Sequence, residues 1–325
     1  MPTLHPRITA KLDPSLHATL EGLIPLTYEN GARPEHDLPA YVRAASAVRR
    51  LGRQLVIVQD DVNAVAIYDF EGSTVISMML PRGPGSRRMF DDVIGNKHDK
   101  LDLEALALLP DERLVAFGSG ATPAREKIVV ASRREPVSLR NASALYRSFH
   151  AEPAFSGSEL NIEGAVVYGH ELLLFQRGNG AVGGAEEPVN AIGAMELDGF
   201  VRWLDGHGPA PRLSAVTPFD LGTIDGSVLG FTDAAATPDG RIAILACAED
   251  SPNALTDGPV LGCRFGYLHP GGELRVTDIL EGGRPTRLKL EGIECQPGKA
   301  HLFDVVADRD LPLQPALLGR LRVSE

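Results

Sequence analysis

Cysteine is scarce in this 325-residue chain, which has only Cys247, Cys263 and Cys295. Three thiols at these spacings are too few for a disulfide framework, and no Cys/His set has zinc-knuckle spacing. They are expected as small buried hydrophobes in a reducing compartment. No long uncharged apolar run is present that would span a bilayer as a helix. The first residues, Met1-Pro2-Thr3-Leu4-His5-Pro6-Arg7, lack the apolar core of a signal peptide. A cytoplasmic location, with no membrane partner, is the expectation. Basic charge is also short: 32 Lys and Arg face 43 Asp and Glu, a formal net charge of −11. That balance argues against nonspecific nucleic-acid binding, which needs cations to neutralise phosphates. There is no Gly-x-Ser-x-Gly elbow, no P-loop and no His-Glu-x-x-His helix. Helix signals are weak, the best being a short stretch around Pro14 to Glu21.

What the chain does contain is a phrase repeated four times. Leu101-Asp102-Leu103-Glu104-Ala105-Leu106, Leu160-Asn161-Ile162-Glu163-Gly164-Ala165, Gly230-Phe231-Thr232-Asp233-Ala234-Ala235 and Leu288-Lys289-Leu290-Glu291-Gly292-Ile293 each set an acid among apolar neighbours. A small residue follows each acid. The acids lie 59, 70 and 58 residues apart, and a further step of 58 back from Glu104 reaches Ser46 in Arg43-Ala44-Ala45-Ser46-Ala47-Val48. A period of this size carried by β-like segments marks a repeat architecture.

Around each marker run short β-branched segments divided by Gly, Asp and Asn, which is strand-and-turn patterning. Gln54–Gln59, Ala64–Tyr68 and Thr74–Met79 are the clearest set. The last unit lacks a fourth strand, while the chain before Arg43 has spare material such as Ile8–Leu12 and Leu23–Thr27. A terminus that completes the last blade removes an exposed sheet edge. The pattern predicts an all-β, five-bladed β-propeller forming one domain over residues 1–325, closed by an N-terminal strand. Six blades is the alternative if the N-terminal segment forms more than that strand. Long polar loops, Pro81–Lys100, Gly178–Pro188 and Ala248–Asp257, are expected above one face, where binding residues usually sit.

If the marker strands are innermost, Glu104, Glu163, Asp233 and Glu291 converge on the axis, with Ser46 as a neutral fifth member. Clustered carboxylates do not all stay ionised without a counter-charge. Calcium takes six to eight oxygen ligands in adaptable geometry, and Asn161 and Thr232 are adjacent candidates. No imidazole or thiolate set accompanies the ring, which disfavours zinc and copper. The other reading has each acid accept backbone N–H groups of the next blade, holding the ring shut. Basic residues stand near the same markers: Lys97, His98 and Lys100 before Glu104, Arg43 before Ser46, Arg177 in the third unit, and Arg287 and Lys289 before Glu291. His98, Lys100, Arg177 and Lys289 are the candidates for work on a small anionic substrate, since cations beside a metal suit a phosphate ester or anhydride. Their plainer role is to pair with neighbouring acids, Lys100 with Asp102 and Lys289 with Glu291. Asp308-Arg309-Asp310 is a further charged cluster, either at the channel mouth or in a loop.

Lys289-Leu290-Glu291-Gly292-Ile293-Glu294 resembles the Lys-aromatic-Glu-Gly-Leu/Ile-Glu phrase of the calcium-activated nucleotidases (apyrases). The segments around Glu104 and Glu163 are similar to inner-strand phrases of that family and of phytase-like and esterase-like propellers. The whole resembles an uncharacterised bacterial propeller family of this group. The resemblance implies five blades with calcium in the central channel, and it covers about a tenth of the chain. Those nucleotidases carry an acid in the first-unit inner strand, where this chain has Ala44-Ala45-Ser46-Ala47. Gluconolactonase-type propellers are six-bladed and bind their ion through Glu, Asn and Asp; Glu163, Asn161 and Asp233 are available here, but not at that family's blade spacing. The functional expectation is a calcium-dependent hydrolase of a phosphorylated small molecule. The alternatives are lactone or ester hydrolysis at the same ion, and a non-catalytic binding propeller with a structural ion.

Overall fold

The computed structural model describes residues 1–133, 135–250, 258–311 and 313–325. The β-branched runs become strands because each alternates side chains between two covered faces, while polar turns supply the reversals. Ala45–Leu51, Gln54–Gln59, Ala64–Asp69 and Thr74–Met79 form one antiparallel meander. Leu103–Leu108, Leu114–Gly118, Lys127–Ala131 and Ser138–Asn141 form a second. In the third sheet, Ile162–Tyr168, Glu171–Gln176, Asn190–Glu196 and Ala215–Asp220 follow in order, and Thr3–Leu4 and Ile8–Thr9 add in parallel at its outer edge.

The remaining strands make one eleven-stranded sheet from two meanders. One runs from Ser227–Ala236 to Leu274–Glu281, the other from Lys289–Cys295 to Leu317–Ser324. They are joined through His17–Pro25, which is antiparallel to Leu317–Ser324 and parallel to Ile279, Leu280 and Glu281. The strands that open the five meanders pack side by side in a closed cycle: Ala45–Leu51, Leu103–Leu108, Ile162–Tyr168, Ser227–Ala236, Lys289–Cys295, and back to the first. The fold is mostly β and propeller-like.

Hydrophobic clusters fill the spaces between neighbouring sheets. Val56 and Val58 meet Leu106 and Val129 across one gap, and Phe175 and Ile192 meet Phe231 and Ile244 across another. Burying each such side chain contributes about 1.5–3 kcal/mol.

Three local expectations are corrected. The stretch around Pro14 to Glu21 is not helical; His17–Pro25 is a strand in which buried Ala18 and Leu20 alternate with exposed neighbours, a period of two. Helices lie elsewhere. Ser143–His150 buries Leu145, Tyr146 and Phe149, and Leu197–Leu204 buries Leu197, Phe200 and Leu204. The cysteines are not all free: Cys247 and Cys263, facing each other on adjacent antiparallel strands with Cα atoms 4.1 Å apart, form a disulfide, while Cys295 is free. Close cross-strand pairs of this kind occur at the non-hydrogen-bonded positions of antiparallel ladders. The thiol argument for a reducing compartment therefore falls.

The strand His17–Pro25 covers both Leu317–Ser324 and the end of Leu274–Glu281. Deleting residues 1–25 exposes both edges at once. The truncated chain should aggregate on size-exclusion chromatography and melt lower by on the order of 10 °C or more. A truncated chain that stays monodisperse and melts like the full one would refute this role.

Candidate metal centre

Every inner strand carries one extra residue that has no partner opposite it. Pairing jumps from Ala45 to Ala47, Leu103 to Ala105, Ile162 to Gly164, Phe231 to Asp233, and Leu290 to Gly292. The five bulged residues are Ser46, Glu104, Glu163, Thr232 and Glu291. Bulges re-aim side chains and recur beside functional sites. Their spacing is 58, 59, 69 and 59 residues, and the long third step contains the helix Leu197–Leu204.

The residue after each bulge faces the next inner strand at close range. A Cβ on Gly292 would sit 2.9 Å from the Val48 nitrogen, and one on Gly164 would sit 3.3 Å from the Asp233 Cα. Small side chains are therefore required there, and Ala47, Ala105, Gly164 and Gly292 satisfy this. Asp233 is the exception. It occupies the small-residue position of the fourth run and is not in the ring of bulged residues.

The neutral members of the ring tie strands together. The Ser46 hydroxyl donates to the Leu103 carbonyl, and the Thr232 hydroxyl donates to the Leu290 carbonyl at 2.6 Å. Each thus bonds the residue preceding a glutamate of the next strand. A carboxylate cannot make this bond to a carbonyl, because both groups are acceptors. Glu104, Glu163 and Glu291 instead come together. Each offers an oxygen, and these oxygens lie within 4.8 Å of one another.

The three carboxylates are poorly satisfied by the protein. Glu163 accepts from Asn161 Nδ2 at 2.8 Å and from Arg177 Nη1 at 3.2 Å. Glu291 is 3% exposed, and neither of its carboxylate oxygens has a hydrogen-bond partner, although Lys289 Nζ lies 3.1 Å from one of them. Among the described residues, no backbone N–H donates to any of the three. Burial pushes the Glu104 carboxyl well above its usual range, and Asp60, Asp102 and Glu163 push the same way. Burial also raises Glu291 strongly, with Lys289 opposing, and raises Glu163, with Arg177 opposing.

A second group, Asp60, Asp102 and Glu104, shares Glu104 with the first. An ammonium already serves it: Lys100 Nζ is 2.6 Å from both Asp60 and Asp102, and Arg125 reaches Asp102 at 2.8 Å. Against its burial, Lys100 and Arg125 hold Asp102 below the usual carboxylate range. Asp60 rises to about 7, because burial outweighs Lys100. Asp102 has φ +56°, the left-handed region that aspartate tolerates better than most side chains, and it enters the strand that carries Glu104. The two groups differ in degree: in the second, Lys100 bridges two of the acids at 2.6 Å, whereas in the first Arg177 and Lys289 reach Glu163 and Glu291 singly, at 3.2 and 3.1 Å.

Around them stand further charges. Arg177 also bonds Glu249 at 3.1 Å, and Lys289 lies 3.4 Å from Glu249 and 3.7 Å from Asp310. Arg43 pairs with Asp61 and Asp91. Asp308 and Asp310 line a cleft of about 150 Å³ at the mouth, together with Arg43, Lys97, Lys100 and Lys289. Burial and neighbouring Asp310 raise Asp308 to about 8. Lys100, Arg177 and Lys289 therefore lie at the site, all engaged by acids. His98 does not belong with them, because its side chain is 77% exposed and lies beside Asp99 on a surface turn. Arg287 is likewise exposed, beside Asp225. The loop Gly178–Pro188 flanks the site, whereas residues 251–257 of the third expected loop lie outside the described residues.

Just beyond the bulges the axis is closed by a residue that the sequence reading missed. Arg49 donates to both oxygens of Asp233 at 2.9 Å, and to the carbonyls of Val48, Ala165, Ala234 and Ile293. Asp233 also accepts the Ile293 N–H at 3.0 Å. One buried guanidinium thus links four inner strands. Asp60, Asp102 and Glu249 were also missed as site residues. Asp60, Ser119 and Arg177 directly follow the second strands of their meanders, and Glu249 and Asp308 end theirs, near the same period, which is a readable signal.

The arrangement is a propeller-like β protein with buried acidic clusters that could bind a metal. Residues 41–323 match a protein family described as a family of unknown function (DUF6929), and the chain belongs to that family. None of the curated proteins matches it. Among solved structures it is similar to a Myxococcus xanthus glutaminyl cyclase, at 12% identity and TM-score 0.48, over 98% of this chain and 100% of that one. It is similar to a putative gluconolactonase at 9% identity and TM-score 0.41, over 97% and 96%. A streptogramin B lyase is similar at 10% identity and TM-score 0.39, over 89% and 96%.

Proposed function

We propose that the protein is a five-bladed propeller that binds a divalent cation, calcium by its donor set, on Glu104, Glu163 and Glu291, and hydrolyses a phosphorylated small molecule there. The blade count rests on reading the eleven-stranded sheet as two blades joined by His17–Pro25, so that five inner strands surround the axis. The observation that carries the cation is Glu291: a buried carboxylate whose oxygens lack hydrogen bonds, aimed at two more glutamates. An all-oxygen, multi-carboxylate set suits a hard cation and not zinc or copper.

When bound, the ion would polarise a phosphoryl oxygen and lower the pKa of a coordinated water. The chain's own contribution is charge. Arg177 and Lys289 share Glu249 and are also held by Glu163 and Glu291 respectively. Glutamates engaged by a cation hold these two side chains less strongly, which leaves them to orient an anion. Lys100 stays clamped between Asp60 and Asp102 as a fixed positive charge beside Glu104.

Phosphate release from nucleoside diphosphates and sugar phosphates tests this reading. It should require calcium, stop with chelator, and fall by at least about a hundredfold in Glu104→Gln or Lys289→Met, the scale of losing one electrostatic stabiliser. Calcium binding without phosphate release from any of these would remove the hydrolase and leave a non-catalytic ion.

A further inference from the structure

The disulfide stands against the strand that carries Glu291. Cys247 Sγ lies 3.5 Å from the Leu290 carbonyl oxygen, and Cys263 Sγ lies 3.3 Å from that of Leu288. These two carbonyls flank Lys289, and Leu290 directly precedes the bulged glutamate. Cys247, Cys263, Leu290 and Ile293 share one buried cluster, the cysteines at 1% and 2% exposure. The pair also meets the centre by a second route, because Cys247 is two residues before Glu249, which holds Arg177 and Lys289. A disulfide sulfur has no proton, so in the oxidised chain both S···O contacts join atoms that can only accept. A thiol has one proton to give. The carbonyls stand where reduced sulfurs would donate, so the dithiol form leaves no buried S–H without a partner.

We propose that Cys247 and Cys263 are a reversible redox pair that sets the grip of the axial centre on its cation, the oxidised form binding tighter. Reduction takes two electrons and two protons from an external dithiol. One thiolate of the reagent attacks a sulfur of the pair, forming a mixed disulfide and releasing the other cysteine. The reagent's second thiol then closes on its first, which leaves a cyclic disulfide and both cysteines protonated. Unbonded sulfurs do not remain at bonding distance. With Cα atoms held 4.1 Å apart by the ladder, they part by turning toward Leu288 and Leu290 in a close-packed core. The push falls on the strand Lys289–Cys295 and shifts Glu291 relative to Glu104 and Glu163, which loosens a shared cation. The cation rests on the proposed axial site; the pair and the carbonyls it faces do not.

The test compares the oxidised full chain with the same chain reduced by dithiothreitol, the thiols being counted by alkylation and mass spectrometry. Both sulfurs are buried, so reduction should take hours. By titration calorimetry the reduced protein should bind calcium about tenfold more weakly, and by linkage saturating calcium should make the disulfide about tenfold harder to reduce. Hydrogen exchange needs no ion: on reduction with chelator present, amides of Lys289–Cys295 should exchange faster, while those of Gln54–Gln59 in the first meander stay as they were. Reoxidation should restore both readings. Cys247→Ala with Cys263→Ala should show one calcium affinity with and without dithiothreitol, which separates the pair from any effect of the reagent. Calcium affinity unchanged in a chain shown to be reduced, exchange in Lys289–Cys295 that ignores reduction, or thiols that do not re-form the disulfide would each overturn the switch. Calcium bound in neither state, with exchange that still responds reversibly, retires the axial ion and supports the redox coupling of the strand.

Discussion

Asp233→Ala should destabilise the protein by on the order of 3–5 kcal/mol, the usual cost of stranding one partner of a buried ion pair. For a chain of this size that lowers the melting temperature by about 10 °C. The reason is geometric. Arg49 is 5% exposed and Asp233 fully buried, and the guanidinium has no water to turn to when the carboxylate goes. Its remaining partners are four carbonyls from four strands, which satisfy its donors but not its charge. The same substitution leaves the Ile293 N–H without its acceptor. Arg49→Met should be as harmful, since it leaves a buried carboxylate facing vacated carbonyls. Arg49→Met with Asp233→Ala removes both charges, and urea denaturation should show it less destabilised than the sum of the two singles. If Asp233→Ala unfolds within about 0.5 kcal/mol of the wild type, the size of an ordinary surface substitution, then Arg49 is not the hub that the geometry implies.

That pair also shows where the sequence was readable and where it was not. The acid-then-small phrase located the inner strands, and at Glu104, Glu163 and Glu291 it located the cluster. In the fourth repeat it pointed one residue too far, to Asp233, because the acid there occupies the small-residue slot after the bulge. A bulge changes which residue faces the axis without changing composition, so only pairing reveals it. The backbone-bonding role expected for the acids falls to one of them. Asp233 accepts a backbone N–H of the next strand, while the three glutamates accept none from the backbone among the described residues.

Other misses have similar causes. Cys247 and Cys263 are 16 residues apart, and only register brings them together. Arg49 lies in an ordinary strand, Ala45–Leu51, and nothing in its neighbours marks it as axial. Ser143–His150 and Leu197–Leu204 are about two turns long, too short for a helical period to stand out.

Calcium should stabilise the protein by about 2.7 kcal/mol at a concentration a hundredfold above its dissociation constant, and chelation should remove that gain. The effect should grow with pH. Without a cation, burial raises Asp60 to about 7 and Asp308 to about 8, and lifts Glu104 and Glu291 well above their usual value. Unfolded, the same groups titrate near 4. Between those values the folded chain binds more protons than the unfolded one. The stability of the chelated protein therefore falls as pH rises from about 5 to 8, the opposite slope to that of a depressed carboxylate. Calcium supplies the missing positive charge without a proton, so the loaded protein should lose less over the same range, and apparent affinity should rise with pH. Magnesium should substitute poorly, because its small octahedral shell resists a crowded set of carboxylates. Glu291→Gln removes one charged ligand and should weaken calcium by more than about a hundredfold, beyond the usual cost of losing an outer-shell partner. It should also raise the stability of the chelated protein at pH 8, since one buried like charge is gone. Melting curves with and without chelator at pH 5.5 and pH 8 read all of this. Curves that coincide at pH 8, or a Glu291→Gln chain that keeps its full response to calcium, would take the ion off the axis and leave the three glutamates protonated among themselves.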